Sequence, residues 1–219
     1  MMSAMAILLA SHVSLVMSSC ETDAYEKGEG DLSLMTAELV EAHIDAEKHV
    51  DHVETDQGER LTMTKPLTAK WITTADTTYR AMLYYKKTGS GQAEAVSFGR
   101  VGVLLPHADS IKGGMKTDPV NLESAWLSQN RRYLNLRLRL LTGHTDDDEA
   151  VQSLGLVGFS ALSTPKHVRM TLYHDQGGQP EYYSSTAFVS IPLSAVSADT
   201  LSLSANTYHG MVERTFRLR

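Results

Sequence analysis

Residues 133–142 read YLNLRLRLLT, and their spacing decides the fold. Leu134, Leu136, Leu138 and Leu140 alternate with Asn135, Arg137 and Arg139. Side chains along a strand point to opposite faces in turn, so this spacing places four leucines on one side and polar groups on the other. A helix would scatter the same leucines around its axis. The stretch is therefore expected to be a strand covered on one face.

The same period of two extends in both directions from this stretch. In 77–87 (TTYRAMLYYKK), Tyr79, Ala81, Leu83 and Tyr85 share one face, and Arg80, Met82, Tyr84 and Lys86 share the other. In 182–193 (YYSSTAFVSIPL), Tyr183, Ala187, Val189, Ile191 and Leu193 fall on one side. Half-buried strands of this kind belong to antiparallel sheets. Turn-forming residues separate the runs: DAEK at 45–48, DQG at 56–58, TGSG at 88–91 and DQGGQP at 175–180. Counting gives about five strands before residue 106 and about six after residue 120, which suits a small barrel followed by a sandwich. The Pro- and Gly-containing segment 106–119 is expected to connect them, with a split near residue 117. The acidic start of 146–153 (DDDEAVQS) suggests one short helix.

The chain has 219 residues, 42% of them hydrophobic, and a formal charge of -6, values that suit a globular protein able to bury a real core. Its single cysteine, Cys20, excludes an intramolecular disulfide and any cysteine-based structural zinc site. Cys20 ends an apolar run, 4–17 (AMAILLASHVSLVM), after Ser18 and Ser19, and is followed by the polar stretch ETDAYEKGEGD. The run is too short to span a bilayer and has the length of a signal-peptide core. Val16, Ser18 and Ser19 resemble the lipobox of bacterial lipoproteins. Residues 1–19 are thus expected to be a lipoprotein signal peptide, Cys20 the lipidated residue, and 20–31 a short acidic tether. The one departure is that no Lys or Arg precedes Lys27. Several acyl chains on one cysteine, at about 0.8 kcal/mol per buried CH2, make such an anchor effectively permanent.

Three stretches, LTAKWITTADTTYRAMLYY (67–85), KTDPVNLESAWLS (116–128) and LYHDQGGQPEYYSSTAFVSIPL (172–193), resemble the NigD-like lipoproteins of Bacteroides-type bacteria. The resemblance implies an all-β chain with an OB-like barrel over 32–117 and an antiparallel β-sandwich over 118–219. It also implies lipidation at Cys20 and residence in the cell envelope of a Gram-negative bacterium, as an outer-membrane lipoprotein. The family takes its name from a bacteriocin gene cluster, and the resemblance carries no catalytic residue.

The residues themselves offer little catalytic chemistry. HVDHVETD brings together His49, Asp51, His52, Glu54 and Asp56, residue types that bind zinc or iron. Period two separates them, His49 with Asp51 and His52 with Glu54, so each face supplies only two ligands and a solvated hairpin is the expectation. The acidic run 146–149 lacks the alternating ligands of a calcium loop. No GxSxG, GxGxxG or GxxxxGK[ST] motif occurs. No metal, cofactor or catalytic residue is expected. Trp71, Arg80, Tyr84 and Lys86 mix aromatic and basic groups as nucleic-acid-binding barrels do. The net charge and the expected export speak against nucleic acid, and these four become candidate contacts for an envelope protein or a glycan. A binding module is the first expectation. An envelope hydrolase using His174, Asp175 and Glu181 is the alternative.

Overall fold

The computed structural model describes residues 35–111, 113–146 and 150–219. The expected signal peptide and tether, with Cys20, lie outside the described residues, as do 147–149 of the segment expected to be helical; the rest of that segment is not a helix, since 150–152 are irregular and Ser153 opens a strand. Met35–Arg219 form one compact unit. Among the described residues, no helix is long and apolar enough to cross a membrane.

Five strands build the N-terminal part: β1 (Thr36–Ile44), β2 (Val50–Thr55), β3 (Arg60–Met63), β4 (Thr77–Gly89) and β5 (Gln92–Arg100). They close into a barrel in the order β1-β2-β3-β5-β4, with β4 returning to β1. The β3–β5 pairing is parallel and the others are antiparallel, the arrangement of an OB-like barrel. Closure removes the free edges that a five-stranded sheet would otherwise expose. The inward set follows the alternation: Ala81, Leu83 and Tyr85 of β4 meet Val40, Ala42 and Ile44 of β1, Val53 of β2 and Leu61 of β3. The β1–β2 turn is fixed by Asp45, whose Oδ1 accepts from the backbone N–H of Glu47 (3.0 Å) and of His49 (2.7 Å).

The remaining strands form two facing sheets. One runs β6 (Gly102–Val103), β12 (Tyr183–Pro192), β9 (Tyr133–Thr142), β8 (Asn121–Leu127). The other runs β14 (Gly210–Arg217), β13 (Thr200–Thr207), β11 (His167–Asp175), β10 (Ser153–Gly158), β7 (Pro106–Ala108). The β8–β9, β9–β12, β10–β11 and β13–β14 pairs are antiparallel. The short β6–β12 and β7–β10 pairs, together with β11–β13, are parallel. Leu134, Leu136 and Leu138 are fully buried between the sheets against Leu156, Leu172, Ile191, Leu201 and Leu203. Strand pairing passes from barrel to sandwich between Arg100 and Gly102. Pro106–Ala108, read from sequence as part of a connection running to 119, serves as an edge strand, a position proline tolerates.

The face assigned to 182–193 holds from Ala187 onward, where Val189 and Ile191 are buried and Ala187 and Leu193 pack against them. Tyr183 does not belong to it. It pairs with Thr142, the last residue of β9, beyond the leucine row, and is 57% exposed. The DQGGQP segment is the expected chain reversal: Asp175 Oδ1 accepts from the N–H of Gly177 at 3.0 Å, and Gly177 and Gly178 both have positive φ. Gly177 is also needed for space, since a Cβ there would lie 2.0 Å from the carbonyl oxygen of Val151.

Candidate functional site

Barrel and sandwich have separate apolar clusters, and polar groups join them. Arg80 leaves the outer face of β4 with its side chain only 1% exposed. Its Nη2 donates to both carboxylate oxygens of Asp56, at 2.6 and 2.7 Å, and to Asn135 Oδ1 at 3.1 Å. Its Nε donates to Ser190 Oγ at 3.1 Å, and the guanidinium lies 4.2 Å from the centre of the Tyr133 ring. Asn135 Nδ2 returns a bond to Asp56 at 2.7 Å, and Ser190 Oγ donates to Asn135 Oδ1 at 2.7 Å. Asn135 and Ser190 are cross-strand neighbours on β9 and β12, so one rung of the sandwich receives the barrel's arginine. A buried charge held by a carboxylate and two neutral acceptors keeps a defined geometry, because no partner can leave without stranding the rest.

Beside this network a cleft of about 390 Å³ opens between the two parts. Met82 and Tyr84 line it from β4, Leu39 from β1, Trp126 from β8 and Phe188 from β12. Glu38, Gln57 and Gln129 give it a polar rim. Glu38 is already held by the Tyr85 hydroxyl (2.8 Å) and by Gln57 Nε2 (2.9 Å), and burial, reinforced by the Glu38 carboxylate, pushes the Tyr85 hydroxyl well above its ordinary pKa. Trp126 is 36% exposed, and Tyr84, Met82 and Phe188 are half-buried. Large apolar surfaces presented by rigid strands, with hydrogen-bonding groups at the margin, are what a binding surface needs.

Of the four contacts expected from sequence, Tyr84 lies in this cleft. Arg80 lies behind it, committed to the seam and closed to solvent. Trp71 belongs to the barrel cluster, its ring 5.5 Å from Tyr79 in an edge-on contact and 4.8 Å from Phe98. Lys86 follows Tyr84 on the same face of β4 but does not line the cleft. Sequence reasoning missed Trp126, Phe188 and Met82. Trp126 stood in the quoted stretch 116–128, yet nothing local tells that β8 faces β4.

The other candidates have defined places. Lys116 donates to Asp175 at 2.6 Å, which lowers the Asp175 pKa, and Asp175 also holds the Gly177 turn. His174 is 1% exposed, with its Nδ1 3.1 Å from the carbonyl oxygen of Asp118. Neither residue is presented to a substrate. In HVDHVETD, His52 and Glu54 share one face as expected, but the β1–β2 register shifts at Asp51, whose carboxylate lies 2.7 Å from His52 Nδ1 instead of being separated from it. Strand β1 contributes what the segment lacked. Glu41 pairs with Glu54 across the ladder, and His43 pairs with His52. A ring nitrogen of His43 and carboxylate oxygens of Glu41 and Glu54 lie within 4.8 Å of one another.

The NigD-like C-terminal β-sandwich domain matches residues 104–218, slightly more than half of the chain. The chain belongs to the NigD-like family. Among solved structures, it is similar to a NigD-like immunity protein of Bacteroides caccae, at 25% identity and a TM-score of 0.63, over 82% of this chain and 91% of that one. A candidate toxin-related protein of Parabacteroides distasonis shares the fold at 16% identity and a TM-score of 0.65, over 84% of this chain and 92% of that one. A candidate lipoprotein of Bacteroides fragilis shares it at 11% identity and a TM-score of 0.61, over 84% and 98%. No curated protein matches the chain. The family boundary at 104 falls within a few residues of the point where strand pairing passes to the sandwich.

Proposed function

We propose that this NigD-like protein is a non-catalytic binding module of the bacterial envelope, held at the membrane through Cys20, that captures a protein or glycan partner in the seam cleft. The observation that carries the reading is the convergence of Met82, Tyr84, Trp126 and Phe188, from three strands of two differently built parts, onto one accessible surface. Buried aromatic anchors commonly dominate interface energy. The immunity protein of Bacteroides caccae, similar over most of both chains, supports a bacteriocin-related role. The candidate lipoprotein of Bacteroides fragilis and the apolar run before Cys20 support a lipid tether in the envelope. The engagement of Asp175 by Lys116 and the burial of His174 weigh against a hydrolase centred on those residues.

The test is capture from envelope extract and bacteriocin-containing supernatant by the full chain, with parallel assays for cleavage of glycan and peptide. Retention that falls at least tenfold in Trp126→Ala, in a chain that folds as before, supports the reading. Turnover that disappears in Glu181→Gln replaces it with the hydrolase. Fatty-acid labelling that persists in Cys20→Ala removes the anchor.

A further inference from the structure

We propose that Glu41, His43 and Glu54 form a binding site for a divalent transition-metal ion, with Arg132 as the resident competitor for the same carboxylates. The ligands come from two paired strands of a closed barrel, so their backbones are fixed by the β1–β2 ladder. Their donor atoms, one nitrogen and two carboxylate oxygens, lie within 4.8 Å of one another, a separation that small side-chain rotations convert to a facial set. A nitrogen donor with two carboxylates suits zinc, cobalt, iron or manganese rather than calcium, which takes oxygen throughout.

His43 supplies the independent observation. Its Nδ1 lies 3.2 Å from the Thr78 hydroxyl on β4, which fixes the ring as the outer partner of a metal-bound histidine does. Its Nε2 is fully buried and has no hydrogen-bond partner. Buried imidazole nitrogens are rarely left so, and a metal ion is one species that satisfies such an atom. The ring stacks on His52 at 4.2 Å with an interplanar angle of 10°, and His52 is itself held by Asp51 at 2.7 Å. Burial, chiefly, and the neighbouring His52 lower the His43 pKa, which favours the neutral imidazole that metals bind.

Arg132 answers the question of what balances two facing carboxylates without an ion. Its Nη1 donates to Glu41 and, at 3.0 Å, to Glu54, while the Tyr133 hydroxyl donates to Glu41 Oε1 at 2.7 Å. Arg132 belongs to the sandwich side of the seam, immediately before β9. An ion that takes Glu41 and Glu54 therefore displaces a barrel–sandwich contact, and occupancy of the site is linked to the tightness of the seam on that side.

The experiment is titration of the purified full chain with Co2+, followed by its visible absorption, and with Zn2+, followed by calorimetry. Wild type, Arg132→Met, His43→Gln and Glu54→Gln are compared, each checked for an unchanged far-ultraviolet spectrum. The expected result is one ion per chain, bound about tenfold more tightly by Arg132→Met and at least tenfold more weakly by His43→Gln and Glu54→Gln, with cobalt bands that shift when His43 is removed. Should one of these variants fail to fold, the Arg132→Met comparison and the other ligand variant decide. Absence of stoichiometric binding by both wild type and Arg132→Met overturns the proposal, as does binding that neither ligand variant weakens.

Discussion

The two apolar cores and the seam between them are built on opposite principles. Each core consists of alternating apolar side chains from paired strands, with Leu134, Leu136 and Leu138 in the sandwich and Ala81, Leu83 and Tyr85 in the barrel. The seam is polar, centred on Arg80, Asp56, Asn135 and Ser190. Apolar contact is non-directional, so it drives each part to collapse without fixing how the two dock. A buried guanidinium whose Nη2 and Nε must reach Asp56, Asn135 and Ser190 together has few good geometries and so specifies orientation. The difference teaches that the position of the cleft beside the seam depends on few residues, although the folding of each part depends on many.

The most severe way to break this contrast is an unpaired charge in a core. Leu136→Asp should destabilise the sandwich by more than about 4 kcal/mol, because it combines a cavity with a buried carboxylate. Arg137→Asp, one residue away on the outer face, should cost about 1 kcal/mol, since Arg137 is 47% exposed, and its contacts with Glu123 at 2.8 Å and with the Phe188 ring, 5.9 Å from its centre, are surface ones. Chemical denaturation of both variants checks the pair. Equal losses would mean that the faces are wrongly assigned.

Arg80→Met tests the seam directly. It leaves Asp56 facing Asn135 without its cation and should cost about 3 kcal/mol, the range for a broken buried pair. The informative readout is cooperativity: a single denaturation transition in the wild type should resolve into two, one for each part. A transition that moves but stays single would show that other contacts suffice to couple them.

Gly177→Ala should act on the sandwich alone. The positive φ and the 2.0 Å approach to the Val151 carbonyl oxygen make a cost of about 2 kcal/mol the expectation. Calorimetry should show the single wild-type transition lowered, and in an Arg80→Met background only the sandwich transition should fall while the barrel transition stays in place. A barrel shift there would mean that the two parts communicate by another route.

The smallest stability effect is expected at the cleft. Trp126→Ala should change stability by less than about 1 kcal/mol, because the ring is partly exposed, while reducing partner capture at least tenfold. Capture unaffected by Trp126→Ala and by Tyr84→Ala would move the binding surface elsewhere, the exposed Tyr182 and Tyr183 being the next to examine.

The amino-acid sequence by itself determined the strands, most of their faces and the turns, because strand periodicity and turn chemistry are properties of adjacent residues. YLNLRLRLLT needed no partner to declare which side would be buried, and DQGG needed none to declare a reversal. Only the tertiary structure decided which outward-facing residues would be covered. Asn135 and Arg137 have the same parity in sequence, yet Asn135 is fully buried under the barrel and Arg137 stays at the surface. Arg80, read as a ligand contact, became a structural cation for the same reason. The cleft and the Glu41–His43–Glu54 group were equally hidden, since each joins residues from strands whose pairing or docking no local pattern records. Period two says which side a residue faces, and only the packing of distant segments says what it meets there.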